Sequence, residues 1–148
     1  GESALEGVPK TLPALLRAFQ VQARAARVGF DWSELRPVLQ KLEEELRELR
    51  EVLPEGDAGA EGAPSKDALQ AELGDVLFTL VNLARHLTIN PEEALRGTVN
   101  RFIDRFHYIE SRAAADGRRL EDMPLEEMDA LWEEAKRRPA HFLESEQR

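Results

Sequence analysis

A bundle of four main helices followed by a short fifth, all-α and without a sheet, is what three features of this chain point to. Apolar residues recur at three- and four-residue spacing along most of its length. Hydrophobic residues make up 42% and charged residues 33% while aromatics are only 6%, a balance that suits helices packing on helices. Turn-forming Gly and Pro fall between the periodic segments. Thr11, followed by Pro13, opens a first helix through LPALLRAFQVQARAAR, and Gly29 ends it as a left-handed cap. Ser33 is the next N-cap candidate, for a helix that places Leu35, Val38, Leu42, Leu46, Leu49 and Leu53 on one side. Pro37 is tolerated in its first turn and Pro54 stops it. PEGDAGAEGAPS, about 54–65, has nothing to bury and reads as a flexible loop. Ser65 caps a third helix, KDALQAELGDVLFTLVNLARHL. Asn90-Pro91-Glu92-Glu93 then supplies N-cap, N1 proline and N3 glutamate for a fourth, running to about Ala115 and ended by Gly117. Pro124 opens the shorter fifth, LEEMDALWEEAKR, stopped at Pro139, and the acidic tail over 139–148 is expected to fray.

At 148 residues the expectation is a single domain over 1–148, its core about 12–137, with one main site. Twenty Lys and Arg against 29 Asp and Glu give a net charge of −9, which argues against a general binder of nucleic-acid polymers. The absence of Cys removes disulfides, thiolate metal sites and Cys nucleophiles. With only His86, His107 and His141 as softer ligands, any metal is expected to be held by oxygen. No apolar run approaches the roughly 18 residues of a membrane span. GESALEGVPK has no signal-peptide apolar core, so the reading is a soluble, cytoplasmic chain with no membrane partner, and the missing initiator Met fits trimming. There is no internal repeat at 20 to 50 residues.

The third helix carries its acids in an unusual place. Leu69, Leu73, Val76, Leu77, Leu80, Leu83, Ala84 and Leu87 cover one broad side. Directly beside that arc, rather than opposite it, runs a narrow stripe of Glu72, Asp75, Thr79, Asn82 and His86. The second helix repeats the arrangement, with Glu45 and Glu48 at the edge of its Leu face and Lys41 on the same stripe. Glu43, Arg47, Arg50 and Glu51 point outward as ordinary solvated pairs, and Glu44 lies between the two groups. Glu48 lies six residues before Pro54 and Glu72 seven after Ser65. At 1.5 Å rise per residue both stand roughly 10 Å from the loop end of an antiparallel hairpin. Glu45, Glu48, Glu72 and Asp75 can therefore converge across one seam. Like charges about 6 Å apart repel by roughly 3 kcal/mol per pair at an effective dielectric near 20, so the group needs neutralising. Mg²⁺ or Mn²⁺ suits an all-carboxylate set. A single ExxE pair is commonplace on Glu-rich helices; ExxE joined to a level ExxD on a facing helix is much more specific. A di-iron bundle would use Glu-x-x-His pairs, and no Glu here has a His three residues later.

On the fourth helix Val99, Phe102, Phe106 and Ile109 are expected to face inward beside a stripe of Arg101, Arg105, Tyr108 and Arg112. Counted from Asn90, Asp75 and Arg105 are each fifteen residues away, so Arg101 and Arg105 can reach the acids' pocket. Spacing alone weighs this equally against plain ion pairing. Cations beside carboxylate-held metal would suit a polyphosphate. Trp32 reads as a packing anchor, His86 as a satisfied polar residue, and Asn82 as a candidate for reading a base.

KLEEELREL followed by AELGDVLFTLVNLARHL resembles the EExxE…ExxD signature of the MazG nucleoside triphosphate pyrophosphohydrolases, members of the all-α NTP pyrophosphatase superfamily. LPALLRAFQVQARAARVGFDW resembles their lead-in helix, and NPEEALRGTVNRFIDRFHYIE their fourth helix. From about Leu12 to Lys136 the chain is similar to the catalytic C-terminal half of two-domain members, without a second repeat. The resemblance implies Mg²⁺-dependent hydrolysis of NTPs or dNTPs between the α and β phosphates, with broad nucleotide specificity, by a homodimer. It implies metal ligation by Glu45, Glu48, Glu72 and Asp75, with Glu44 as a helper that orients or deprotonates water. Arg101, Arg105 and Lys41 match phosphate-holding or basic positions, and Trp132 a functional Trp. One departure is Ala68, where some relatives carry a Lys.

The alternatives are a dUTP- or dCTP-selective pyrophosphatase, a regulator that consumes a signalling nucleotide, and a non-catalytic helical scaffold whose acids merely pair with arginines. The length and Gly content of the 54–65 loop also fit a lid over a nucleotide. Shortening it is then expected to raise KM or lower kcat, and unchanged steady-state kinetics would reject the lid.

Overall fold

Helices α1 (Ala14–Arg27), α2 (Leu35–Val52), α3 (Lys66–His86), α4 (Pro91–Ala115) and α5 (Leu125–Lys136), with one 3-10 turn over Leu120–Asp122, make up the regular structure. No strand occurs among the described residues. This is a computed structural model that describes residues 3–32, 34–53, 62 and 64–139. The sequence expectations for the rest of the 54–65 loop, for Ser33 as a cap and for the tail after Pro139 lie outside the described residues.

The helix ends show how local sequence sets the elements. Ser65 adopts an extended backbone and its Oγ accepts the Ala68 N–H at 3.1 Å, satisfying one of the free donors of the first turn of α3. Asn90 does the same for α4, accepting the Glu92 N–H at 3.0 Å. Gly29 and Gly117 take φ of +92° and +66°. After each, the chain folds back so that Phe30 N–H reaches the Ala25 carbonyl and Arg118 N–H the Ala113 carbonyl, the bond pattern of a left-handed helix stop. One start differs from expectation: Pro13, not Thr11, occupies the cap position of α1, without a side-chain cap bond; Glu34, immediately before α2, makes none either. The end of α3 uses Thr88 at φ +58°, with Ile89 N–H on the Ala84 carbonyl. A β-branched residue is a costly choice for that conformation.

The chain forms two units, Gly1–Glu92 and Glu93–Arg148. In the first, α3 packs against both α2 and α1. Val38, Val76 and Val81 are its buried apolar centre, joined by four buried polar side chains: Gln22, Glu45, Thr79 and Asn82. Of the broad apolar arc of α3, Val76 is buried but Leu73 is 50% exposed and Leu77 46%, whereas Thr79 and Asn82 of the adjacent stripe are buried. Within this unit α3 turns Thr79 and Asn82 of its polar stripe inward and leaves much of its leucine arc uncovered.

The second unit holds most of α4, the 3-10 turn and α5, with Ile109, Ala113, Met123 and Ala135 buried. Of the α4 residues expected inside, only Ile109 is buried; Val99, Phe102 and Phe106 are exposed. Phe102 instead stacks on Phe106 and tilts against Trp132, at ring separations of 6.1 Å and 5.3 Å.

Because the Ser65 hydroxyl closes the first turn of the helix that carries Glu72 and Asp75, Ser65→Ala is expected to cost about 1 kcal/mol of folding stability. Urea unfolding checks this, and an unchanged midpoint would show that the cap carries no net stability.

Candidate metal centre

The acids meet where α2 lies along α3. Glu45, buried to 6% exposure at the inner edge of α2, comes together with Glu72 and Asp75, one turn apart on α3. One carboxylate oxygen from each lies within 4.8 Å of the other two. Their i, i+3 relation on α3 stacks two carboxylates on one stripe, and the level packing of α2 supplies the third. Burial grades across the cluster, from Glu45 inside, through half-buried Glu72, to exposed Asp75. The group is rooted in the unit and open at one end.

Two oxygens of this cluster lack any partner. Oε2 of Glu45 and Oε2 of Glu72 are buried and make no hydrogen bond. An unsatisfied buried acceptor costs about 1–3 kcal/mol, more when it is charged. The other oxygen of Glu45 is held by Lys41, whose Nζ lies 3.0 Å away and also approaches Glu44 at 3.8 Å. The Lys41 ammonium is correspondingly held above its ordinary pKa, first by its bond to Glu45. One lysine does not balance this many carboxylates. Glu48 lies outside the three-residue group yet inside its field: its carboxyl is raised above the usual range, first by the charge of Glu45, then by burial, Glu72 and Glu44, with Lys41 opposing.

Oxygen ligands about 2.1 Å from Mg²⁺ lie about 3 Å apart when adjacent and about 4.2 Å apart when opposite. A 4.8 Å spread therefore closes onto a hard divalent cation with small side-chain shifts. The donor set is all oxygen, and its two orphan acceptors are what a cation would satisfy.

The other sequence candidates have defined surroundings. Glu44 is half-exposed and pairs with Lys41. Arg101, Arg105 and Trp132 belong to the second unit. Arg101 is exposed and donates to Thr98 Oγ1 at 3.0 Å, while the Arg105 guanidinium lies over the Trp132 ring, 5.4 Å from its centroid. Nearby, Glu134 accepts from the Tyr108 hydroxyl at 2.6 Å and from Arg112 at 2.7 Å, and these bonds, the tyrosine first, hold its carboxyl below the usual range. Arg138 covers the Tyr108 ring at 3.9 Å.

Sequence reasoning missed a second polar group in the first unit. Gln22 of α1 is buried and donates through Nε2 to the Phe78 carbonyl at 2.9 Å. Asp31, just past the Gly29 turn, accepts from Arg85 at 2.5 Å and lies 3.4 Å from His86 Nε2. Burial works against the Asp31 charge, but Arg85 and His86 outweigh it and hold the carboxyl below its ordinary value. The available signals were a glutamine amid the small apolar residues of α1 and an acid immediately after a helix stop.

A carboxyl whose pKa is raised on folding makes stability depend on pH. Folding favours protonated Glu48, so its contribution is present below the ordinary value of 4.5 and is lost as pH rises through the higher folded value. In EDTA, wild type is expected to lose stability relative to Glu48→Gln over that interval. Parallel urea-unfolding stabilities for the two proteins across pH would contradict it.

Residues 34–109 match the family model described as the MazG nucleotide pyrophosphohydrolase domain. The chain is 42% identical over 125 residues to the nucleoside triphosphate pyrophosphohydrolase/pyrophosphatase MazG of Thermotoga maritima, a match covering 84% of this chain and 45% of that protein. It is 42% identical over 135 residues to the nucleoside triphosphate pyrophosphohydrolase of Escherichia coli K12, covering 91% and 49%. It is also 48% identical over 134 residues to the Bacillus subtilis protein YabN, described as uncharacterized, covering 90% and 26%. The chain thus spans half or less of the length of these relatives.

Proposed function

Starting from the fact that this chain belongs to the MazG nucleotide pyrophosphohydrolase family, we propose that it hydrolyses nucleoside triphosphates between the α and β phosphates, releasing the monophosphate and pyrophosphate. The observation that carries this reading is the convergence of Glu45, Glu72 and Asp75 with two buried, unpartnered carboxylate oxygens. The cation is Mg²⁺, with Mn²⁺ as a substitute, held by these three and by Glu48 beside them. When bound it supplies Lewis-acid polarisation of the phosphates and charge neutralisation at the leaving pyrophosphate. Names of the Thermotoga and Escherichia relatives, both nucleoside triphosphate pyrophosphohydrolases, support the substrate class.

The chain's own residues divide the remaining work. Lys41 fixes the Glu45 carboxylate through its 3.0 Å ion pair and leaves the other oxygen of Glu45 for the cation. Glu44, half-exposed on the same turn, orients an attacking water and takes its proton. Arg101 and Arg105 bind phosphate oxygens by charge-assisted hydrogen bonds, with Trp132 beneath the Arg105 guanidinium. No side-chain nucleophile is required. Broad nucleotide specificity, a homodimer and a cytoplasmic house-cleaning role complete the reading. The half-exposed Leu73, Leu77 and Leu80 of α3 give a dimer an apolar surface to cover, and no helix among the described residues is long and apolar enough to cross a membrane.

The direct test is a panel of NTPs and dNTPs incubated with Mg²⁺ or with EDTA and resolved by anion-exchange chromatography. Monophosphate and pyrophosphate are expected only with Mg²⁺. Glu48→Gln and Asp75→Asn are expected to lower turnover at least a hundredfold, roughly 2.7 kcal/mol of transition-state stabilisation, while circular dichroism shows the helices intact. Full Mg²⁺-dependent activity in either variant would refute the site. No turnover on any nucleotide by folded protein would favour the scaffold alternative.

A further inference from the structure

Asn82 lies on the same α3 stripe as Asp75, seven residues further on, or about 10 Å along the helix axis. That is the scale on which the base edge of a nucleotide is separated from its phosphates. The residue is only 5% exposed, and its Oδ1 accepts a hydrogen bond from Arg85 Nη2 at 2.7 Å. A guanidinium has donors and no acceptor. The amide therefore cannot be turned over, and the group Asn82 has left to offer is its NH₂ donor. The same Arg85 nitrogen is anchored on Asp31 Oδ1 at 2.5 Å, which fixes the guanidinium from the other side.

Gln22 is the mirror case. It is 8% exposed, and its Nε2 donates to the backbone carbonyl of Phe78, one helical turn before Asn82. A carbonyl can only accept, so this amide is also locked, and what remains is Oε1, a buried acceptor with no partner. Asn82 of α3 thus offers a donor, and Gln22 of α1, bonded to α3 one turn earlier, an unmatched acceptor, each with its polarity set by a neighbour of fixed hydrogen-bonding sense.

Base edges differ in this polarity. Uracil, thymine and guanine present an exocyclic carbonyl acceptor beside a ring N–H donor; cytosine and adenine present an amino donor beside a ring-nitrogen acceptor. We propose, on the basis of the nucleotide reading above, that Asn82 and Gln22 read the base edge and, while all four bases remain substrates, favour keto bases over amino bases, with Arg85 and Asp31 as the positioning residues that hold this polarity. The keto edge satisfies both side chains, whereas the amino edge opposes donor to donor and acceptor to acceptor.

The experiment measures kcat and KM for UTP, GTP, CTP and ATP with Mg²⁺. Wild type is expected to favour UTP over CTP, and GTP over ATP, by about tenfold or more in kcat/KM, mainly through KM. Asn82→Asp keeps the size and the Arg85 contact but replaces the donor with an acceptor, and is expected to move the ratio toward CTP and ATP. Asp31→Asn, outside the helices, and Arg85→Met are expected to bring the ratios toward one, with Arg85→Lys restoring part of the preference by restoring a donor. Equal kcat/KM for keto and amino substrates in wild type, or an unaltered ratio in Asn82→Asp, would overturn the proposal. Loss of turnover on every nucleotide would overturn the hydrolase reading instead, and calorimetric binding of α,β-methylene UTP against α,β-methylene CTP then decides the base preference separately. If both analogues bind equally, or neither binds, the base-reading assignment fails.

Discussion

Holding carboxylates together in a protein interior is the constraint around which the first unit is organised. Glu45 is buried, Glu72 is half-buried, and one oxygen of each has no partner. Helices packed for stability alone would place apolar residues at these positions, as α2 and α3 do at buried Val38 and Val76. Instead the seam concentrates negative charge, admits one lysine against Glu45, and raises the Glu48 carboxyl through the field of its neighbours. Such an arrangement is favourable chiefly when a cation completes it, which ties the local electrostatics to the proposed chemistry.

Much else in the unit follows from how α3 is presented. Its N-terminus is fixed by Ser65 and its C-terminus by the turn through Thr88, so the stripe from Glu72 to Asn82 is carried on a helix secured at both ends. The polar groups along this seam are matched locally and across elements. Lys41 answers Glu45; Thr79 bonds back to the Asp75 carbonyl at 2.9 Å; Gln22 reaches the Phe78 carbonyl; Arg85 joins Asn82 to Asp31. These bonds tie α1 and the turn after it to the helix that carries two of the acids. The adjacent leucine arc is left half-exposed at Leu73, Leu77 and Leu80.

The second unit uses arginine for local order as well. Arg112 and Glu134 meet around the Tyr108 hydroxyl, Arg138 covers the tyrosine ring, and Arg105 rests over Trp132. The basic stripe read from the sequence is therefore a mixed population. Arg112 is committed to Glu134, whereas exposed Arg101 donates to the neutral Thr98 hydroxyl. This distinction, invisible in a count of cations, bears on which of them is available to a polyanion.

What the sequence determined by itself was everything governed by a few consecutive residues or by helical arithmetic. Ser65 and Asn90 mark helix starts because their side chains reach donors two or three residues on, and Gly29 and Gly117 mark stops because a left-handed residue is least strained without a Cβ. The approach of Glu45 to Glu72 and Asp75 was legible because rise per residue is constant and the two helices run from a common loop. Tertiary structure alone decided which stripe of α3 faces inward, since an apolar arc and an adjacent polar stripe have the same period and only the summed contacts of neighbouring helices choose between them. It also decided that Thr88 takes a positive φ where no glycine announces the turn, that Pro13 rather than Thr11 precedes α1, and that Gln22 meets Phe78 and Asp31 meets Arg85 across 56 and 54 residues. Contacts at that separation leave no periodic trace in the chain, because each depends on where whole helices come to rest.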